Sequence, residues 1–245
     1  KVSSVVPLLN SLPLSQPAQL TSDAATRNQI WHIRKGLYAA VAGNRPSGTT
    51  ALLEDIAVPV TELLSTCEEL IALLVKHEYT DSVIFGHARD GNIHFMINEE
   101  FENPAKLQRY KLFTEEMVEL VLAHGGTLKA EHGTGRMMAP FVRRQYGDEL
   151  YEVMWALKRL IDPAGILNPG IILSENLETH HENLKAFPKI QKVADNCVEC
   201  GYCEPICPSK DLTLTPRKRI VLQRELVLAK AAGNTSLAKE IEREF

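Results

Sequence analysis

Four of the five cysteines in this 245-residue sequence stand in one run, Cys197, Cys200, Cys203 and Cys207, with Pro208 directly after the last. The spacing C-x2-C-x2-C-x3-C-P is the one with which thiolates wrap a [4Fe–4S] cubane. Three sulfurs from a tight loop reach one cluster, Gly201 lets the backbone approach it, and the proline steers the fourth cysteine away. Structural zinc is the alternative, but such sites pair two C-x2-C knuckles farther apart or add histidines. In domains with two clusters, the fourth cysteine of the run ligates the other cluster. The sequence reaches Phe245 without a second run. Cys197, Cys200 and Cys203 are therefore expected to lack their fourth partner, Cys207 is expected to lack its whole cluster, and the sequence reads as part of a longer protein.

Three further segments concentrate reactive side chains: Gly86-His87-Ala-Arg-Asp90-Gly91-Asn92-Ile-His94, Glu131-His132-Gly133-Thr-Gly135 and Asn168-Pro169-Gly170. Two imidazoles, His87 and His94, with a carboxylate from Glu131, would make a divalent-metal shell that keeps open positions. A neutral His132 beside them has the proton affinity of a general base near neutral pH. Histidines satisfied by ordinary hydrogen bonds are the competing reading. A regular strand would send Glu131 and His132 to opposite faces, so they share a site only if the chain bends at Gly133. His180-His181 also looks like a metal pair, but it sits in a polar stretch and reads as solvated.

The elements that must position these residues alternate between single strands and long helices. Ser22 can cap a helix that runs to about Gly43 with Ile30, Ile33, Leu37 and Val41 on its apolar stripe, whereas residues 1–22 show no clear period. ALLEDIAVPV reads as a strand, and Thr61 can cap a helix bearing Leu64, Cys67, Leu70, Ile71 and Leu74. SVIFGHA and NIHFMIN read as a hairpin around Arg89-Asp90-Gly91-Asn92. Asn103-Pro104 starts a helix, GTLKAEHGTG reads as a short strand running into a glycine-rich turn, and Asp148 opens a helix with Leu150, Met154, Leu157 and Ile161. Thr215-Pro216 starts a last, basic helix. The class is α+β: an antiparallel, ferredoxin-like sheet with helices packed on it, then a small helical iron–sulfur module. The expected division is residues 1–173, a linker over 174–195, and 196–245.

Composition narrows the function classes. At 44% hydrophobic, 24% charged and a formal net charge of -4, the chain has an ordinary globular balance with no basic stripe for nucleic acid. No apolar run approaches the ~20 residues of a membrane span, and nothing reads as a signal peptide. The clustering of the cysteines suits a reducing cytosol. The expected location is cytoplasmic, with a peripheral position at the inner face of the membrane also compatible.

GHARDGNIHF, AEHGTGRMMAPF and ALKRLIDPAGILNPGIIL, in that order, closely resemble the C-terminal domain of FAD-linked oxidases, over roughly residues 25–173. That group includes D-lactate, D-2-hydroxyglutarate and glycolate dehydrogenases, and the cysteine run resembles members that carry their own ferredoxin-like domain. The resemblance implies that His87, His94 and Glu131 bind a divalent metal, often zinc. It implies that His132 takes the 2-hydroxyl proton, that Asn92 lies near the substrate, and that Asn168 and Gly170 approach the flavin. It implies that Arg34, in Trp31-His-Ile-Arg34, holds the substrate carboxylate. Arg34 also falls on the apolar stripe of its helix, where an unpaired charge is costly and a carboxylate would be a bidentate partner; a salt bridge with Asp55 is the alternative. Leu53 stands where some relatives have a lysine for a second carboxylate, which weakens a dicarboxylate assignment unless Arg45 or Arg89 compensates.

The resemblance thus implies a flavin-dependent dehydrogenase that oxidises a small D-2-hydroxy acid and passes electrons through iron–sulfur clusters to a quinone, cytochrome or other carrier. No flavin-phosphate loop is present, so FAD is expected to be bound mainly by a domain upstream of Lys1, and the chain alone is expected to have little activity. An electron-transfer or adaptor subunit without catalysis is the second reading. A zinc hydrolase is the third, and it would have no use for the cysteine run.

Overall fold

The computed structural model describes residues 2–244, with side chains from Val5 onward. The chain divides into two compact units, residues 1–41 and 42–245.

The first unit contains α1 (Val2–Asn10), for which the sequence shows no period, and most of α2 (Ala24–Gly43). Asp23, rather than Ser22, accepts the Thr26 N–H at 2.7 Å and so starts α2. The stripe expected to be buried is open: Ile30, Ile33 and Leu37 are 56%, 66% and 38% exposed. Arg34 is exposed as well, its guanidinium 5.0 Å from the centre of the Trp31 ring. The burial argument for Arg34 therefore fails here, because its charge stays in water.

The second unit is built on β1 (Thr50–Ala57), α3 (Leu63–Lys76), β2 (Val83–His87), β3 (Asn92–Glu99) and α4 (Pro104–Ala123). The strands form one antiparallel sheet in the order β1-β3-β2. Partners across antiparallel strands share a face. Leu52↔Ile97, Ile56↔Ile93 and Ile84↔Phe95 face the core. There they meet Leu70, Leu73 and Leu74 of α3 and Phe113, Met117 and Val121 of α4. Alternate residues turn to the other face. Asn103 caps α4 by accepting from Ala105 and Lys106, with Pro104 in the first turn as its sequence indicates. The antiparallel sheet has three strands among the described residues. The strand expected from GTLKAEHGTG is reduced to one bridge, Thr127 with Ala57.

After residue 135 the chain is mostly helix and turn. α5 (Val142–Ile161) starts before the expected Asp148 but breaks at Gly147, with φ 80° and ψ 168°, so Asp148 does open its second half. The stripe there is not core, since Leu150, Leu157 and Ile161 are 54%, 53% and 72% exposed. α6 (Lys192–Asp195), α7 (Pro216–Ala231) and α8 (Thr235–Glu242) follow. Thr215 caps α7 through the Lys218 N–H. Residues 174–187 pack along the unit: Ser174 O accepts from the Tyr151 hydroxyl, Lys185 O from Thr50, and Glu182 O from Arg136.

His180 lies in that segment and is 3% exposed, not solvated as its polar surroundings suggest, because its ring packs 5.1 Å from that of Phe141. Burial, reinforced by the neighbouring His181, pushes its pKa down to about 4. The fold therefore holds the neutral imidazole, while the unfolded chain takes up a proton between pH 6.5 and about 4. Stability should fall as pH drops through that window, by on the order of 3 kcal/mol, and level off below it. Urea unfolding across pH 3.5–7.5 should show this slope in the native chain and lose it in His180→Phe; an equal slope in both would refute the assignment.

Candidate functional site

The sheet face turned away from the helices carries the chemistry. Asp55 pairs with His94, which pairs in turn with Phe85, while Asn92 pairs with Ala57 on one side and His87 on the other. The two-residue alternation of three strands therefore lines up Asp55, His87, Asn92 and His94 on one surface. The hairpin that aligns them depends on two glycines. Gly91 turns at φ 66°, and a Cβ on it would lie 1.9 Å from Val58 O. A Cβ on Gly86 would lie 2.2 Å from Asn92 O.

Asp55, which sequence reasoning considered only as a partner for Arg34, is 0% exposed. Its Oδ2 accepts the backbone N–H groups of Ala130, Glu131 and His132 at 3.1, 2.6 and 2.8 Å. Its Oδ1 accepts from Asn92 Nδ2 at 2.7 Å and stands 3.4 Å from His94 Nδ1. Burial works to raise the pKa of this carboxyl, but the N–H groups of Glu131 and His132 and the Asn92 amide outweigh it, so the net shift is downward. Beside Asp55, Glu54 points to the core face and pairs with Lys129 at 2.6 Å, both largely buried. β1 thus grips residues 129–132 from two sides and bends them out of any extended strand.

That bend brings Glu131 and His132 to one place. Glu131 Oε1 lies 2.9 Å from His94 Nε2 and 3.1 Å from His87 Nε2. The His132 ring stacks on His94, with centres 4.9 Å apart and planes 15° from parallel. His132 is 41% exposed at its side chain, whereas His94 is 6%. Burial, more than any neighbouring charge, holds the His94 pKa below the usual imidazole value, so it is neutral at pH 7. Two groups of donors have their ligand atoms within 4.8 Å of one another: His87, His94, Glu131 and Asp55, His94, His132. An open hollow of about 450 Å³ adjoins them, lined by Ala57, His87, Asp90, Asn92, Thr127, Ala130 and Glu131. A larger one of about 620 Å³ along α5 holds none of these donors. Both amide hydrogens of Asn92 are given away, to Asp55 and to Ile56 O at 3.0 Å, and its buried Oδ1 has no protein partner.

The remaining predicted residues lie elsewhere. Asn168, with φ 44°, is exposed; its segment is tied to the turn after Glu131 by the Ile172 N–H, which donates to Gly135 O at 3.0 Å. Gly170 is half-buried at φ 73°. Arg34 belongs to the first unit. Arg89 projects into solvent, its side chain 94% exposed. Arg45 cannot hold a substrate carboxylate, because it is buried and donates to Ala42 O, Thr49 O, Asp195 O and Cys197 O. Cys197, Cys203 and Cys207 are half-buried and Cys200 is exposed. Hydrogen bonds from Ser209, first its side chain and then its backbone, hold the Cys207 thiol below its usual pKa, whereas burial pushes up that of Cys67.

Residues 3–172 match the family described as FAD linked oxidases, C-terminal domain. The chain belongs to that family. Among curated relatives of this FAD-linked oxidase domain, it is 34% identical over 151 residues to "Probable D-lactate dehydrogenase, mitochondrial" of Danio rerio, covering 62% of this chain and 30% of that protein. It is 32% identical over 161 residues to "Glycolate oxidase subunit GlcD" of Bacillus subtilis (strain 168), covering 66% and 33%. It is 28% identical over 249 aligned positions to "D-2-hydroxyglutarate dehydrogenase" of Haemophilus influenzae, covering 89% and 24%, so that this similarity extends beyond residue 172. The chain therefore spans about a third or less of the length of these relatives.

In this FAD-linked oxidase domain the hairpin glycines are structural requirements. Gly86→Ala should destabilise the chain by about 2 kcal/mol or more, read as a lower urea midpoint, because its Cβ cannot be placed without separating β2 from β3. Gly125→Ala has no such contact to make, though its φ of 66° strains it, and it should cost less. Equal losses for the two variants would overturn the close-approach argument.

Proposed function

We propose that this protein is the substrate-capping part of a flavin-dependent dehydrogenase that oxidises a D-2-hydroxy acid, D-lactate-like, to the 2-oxo acid and passes the electrons to an iron–sulfur module. The observation that carries this reading is the convergence of Glu131 Oε1 on the Nε2 atoms of His87 and His94 at 3.1 and 2.9 Å, with His132 stacked alongside. Two tetrahedral ligands of one zinc ion, each ~2.0–2.2 Å from it, stand ~3.3–3.6 Å apart, so a small outward movement of Glu131 would seat a divalent cation among these donors with positions left for substrate. The D-lactate, glycolate and D-2-hydroxyglutarate in the relatives' names are all 2-hydroxy acids.

A divalent ion held by His87, His94 and Glu131 would lower the pKa of a hydroxyl bound to it, and FAD, implied by the family, would accept the hydride. This chain's residues supply the rest. His132, half open beside the hollow, takes the hydroxyl proton as general base. Asn92 offers Oδ1 as an acceptor whose direction is fixed by its two donated bonds. Arg34 is assigned the substrate carboxylate, and Asn168 and Gly170 the approach to the flavin. Leu53 in place of a lysine argues for a monocarboxylate.

For the second half of the reading, residues 1–173 form the cap, 174–195 connect it, and 196–245 are part of a [4Fe–4S] module in which Cys197, Cys200 and Cys203 serve one cluster and Cys207 the other. The spacing of the run, the lowered pKa of Cys207 and the extended similarity to the Haemophilus influenzae protein support this. A quinone, cytochrome or other carrier would receive the electrons. No helix among the described residues is long and apolar enough to cross a membrane. The clustering of the cysteines, which suits a reducing compartment, supports a cytoplasmic location, in solution or peripheral at the inner face of the membrane.

The roles differ in what they should lose. In the protein assembled with its flavin domain, His87→Ala and Glu131→Gln should lose zinc on dialysis, with partial rescue of turnover by excess zinc. His132→Ala should keep zinc and substrate affinity while kcat drops by ~10²–10⁴-fold. Arg34→Met should raise KM more than it lowers kcat. Zinc content measured beside kcat and KM decides: if His132→Ala lost zinc while Glu131→Gln kept it, the two roles would be reversed, and if no variant changed it the metal assignment would fall.

The cysteine assignment is tested separately. After anaerobic reconstitution with iron and sulfide, the native chain should carry sub-stoichiometric, oxygen-labile iron with the broad visible absorption of a cluster, and Cys200→Ser should lose most of that absorption together with the iron. His87→Ala should retain both. Equal iron in the native chain and Cys200→Ser would remove the cluster from the proposal.

A further inference from the structure

We infer that Asp55 is the positioning residue of this site: its carboxylate bends residues 130–132 so that the adjacent Glu131 and His132 serve one centre, and it turns the Nε2 of His94 toward Glu131. The inference rests on the metal-and-base reading above and goes beyond it by naming the residue on which the arrangement hangs.

Extended backbone would place Glu131 and His132 on opposite faces. Three successive N–H groups, of Ala130, Glu131 and His132, converge instead on one oxygen, Asp55 Oδ2, at 3.1, 2.6 and 2.8 Å. Only a turn can aim consecutive amides at one acceptor, and only an anion rewards all three. The carboxylate has no access to water to compete for these bonds. Gly133, at φ 77°, allows the chain to leave the turn but makes none of these contacts.

The second oxygen acts on the histidine. Asp55 Oδ1 is 3.4 Å from His94 Nδ1, a charge contact and not a hydrogen bond, and Nδ1 has no hydrogen-bond partner among the described residues. A cation held at Nε2, which Glu131 Oε1 faces at 2.9 Å, leaves the ring proton on Nδ1 beside that anion. The same oxygen holds Asn92 Nδ2 at 2.7 Å and so fixes which atom of that amide is free. One side chain thus orients a ligand carboxylate, a ligand imidazole, the base and the amide without standing in the hollow itself, whose lining does not include it.

The test uses the 245-residue chain and zinc ion alone as probe. Asp55→Asn keeps the shape but replaces one acceptor oxygen by an amide that cannot receive three N–H groups. Zinc affinity, from competition with a chelating dye, should weaken by ~10–100-fold, and the Glu131 and His132 amide proton resonances should move upfield. A folded Asp55→Asn that binds zinc within about twofold of the native chain, with those resonances in place, would overturn the inference. If that variant does not fold, the native chain loaded with zinc still decides: the imidazole nitrogen shifts of His94 should show zinc on Nε2 and the proton on Nδ1, and the reverse arrangement refutes the role given to Asp55. Failure of the metal reading looks different, because the native chain would then bind no zinc while the Glu131 and His132 amide protons still stood downfield.

Discussion

The arrangement of this domain turns on a carboxylate with no access to water that is nevertheless held ionised. Taking an anion out of solvent is costly unless hydrogen bonds replace the lost hydration, and Asp55 receives four, three from consecutive backbone amides and one from Asn92. Those bonds fix the loop over residues 130–132, and the loop carries the two side chains that meet His94. The energetic requirement and the functional geometry therefore have one cause: the charge can be buried only if the loop is bent, and the bent loop is what assembles the donors. The β1–β3 register matters for the same reason. A shift by one residue would turn Asp55 into the core against Ile93 and Phe95 and turn Ile56 out of it, with neither His94 nor the loop amides for Asp55 to meet.

β1 shows how adjacent acidic residues act in different environments. Glu54 turns to the core face, where Lys129 satisfies it at 2.6 Å, and Asp55 turns to the site face, where backbone amides satisfy it. Both grip the segment that follows α4, from opposite sides. A strand in that position would have continued the sheet beyond β1. What remains is the bridge between Ala57 and Thr127 and one bond from the Ala130 N–H to Asp55 O, because beyond them the amides of Glu131 and His132 bond to a side chain instead of to a neighbouring strand.

This division explains what was legible in the sequence. The hairpin around Gly91, with His87 and His94 on one face, is a local pattern and was readable from its turn residues and alternation. The caps at Asn103 and Thr215 and the break before Asp148 are local too. Asp55 was not readable as a hub, since the loop amides it binds lie about 75 residues away and an acidic residue in a strand carries no sign of what it binds. The short strand read into GTLKAEHGTG has suitable alternation, but a long-range bond outcompeted it. Helix periods were correct where burial was not: the stripes of Ile30, Ile33 and Leu37 and of Leu150, Leu157 and Ile161 repeat as expected, yet they are exposed in a chain that spans a third or less of its relatives. His180 shows the converse, a polar residue in a polar stretch that the Phe141 ring buries.

The cysteine run is attached to the sheet by the same kind of interaction with the charges reversed. Arg45, just ahead of β1, and Arg224, on α7, are 6% and 3% exposed, and both stack on Phe187, at 5.0 and 4.4 Å from its ring centre. Each donates to the carbonyl of Cys197, at 3.0 and 2.8 Å, and Arg224 also pairs with Glu199 at 2.6 Å. Two buried cations need this many acceptors, and the acceptors they find are the backbone groups that lead into the run and its first cysteine. The segment over residues 195–199 is therefore held between the chain entering β1 and the helix that follows the cysteines. The start of the cysteine run is thus tied to the strand that holds Asp55 by a pair of arginines and one phenylalanine, far in sequence from the site residues.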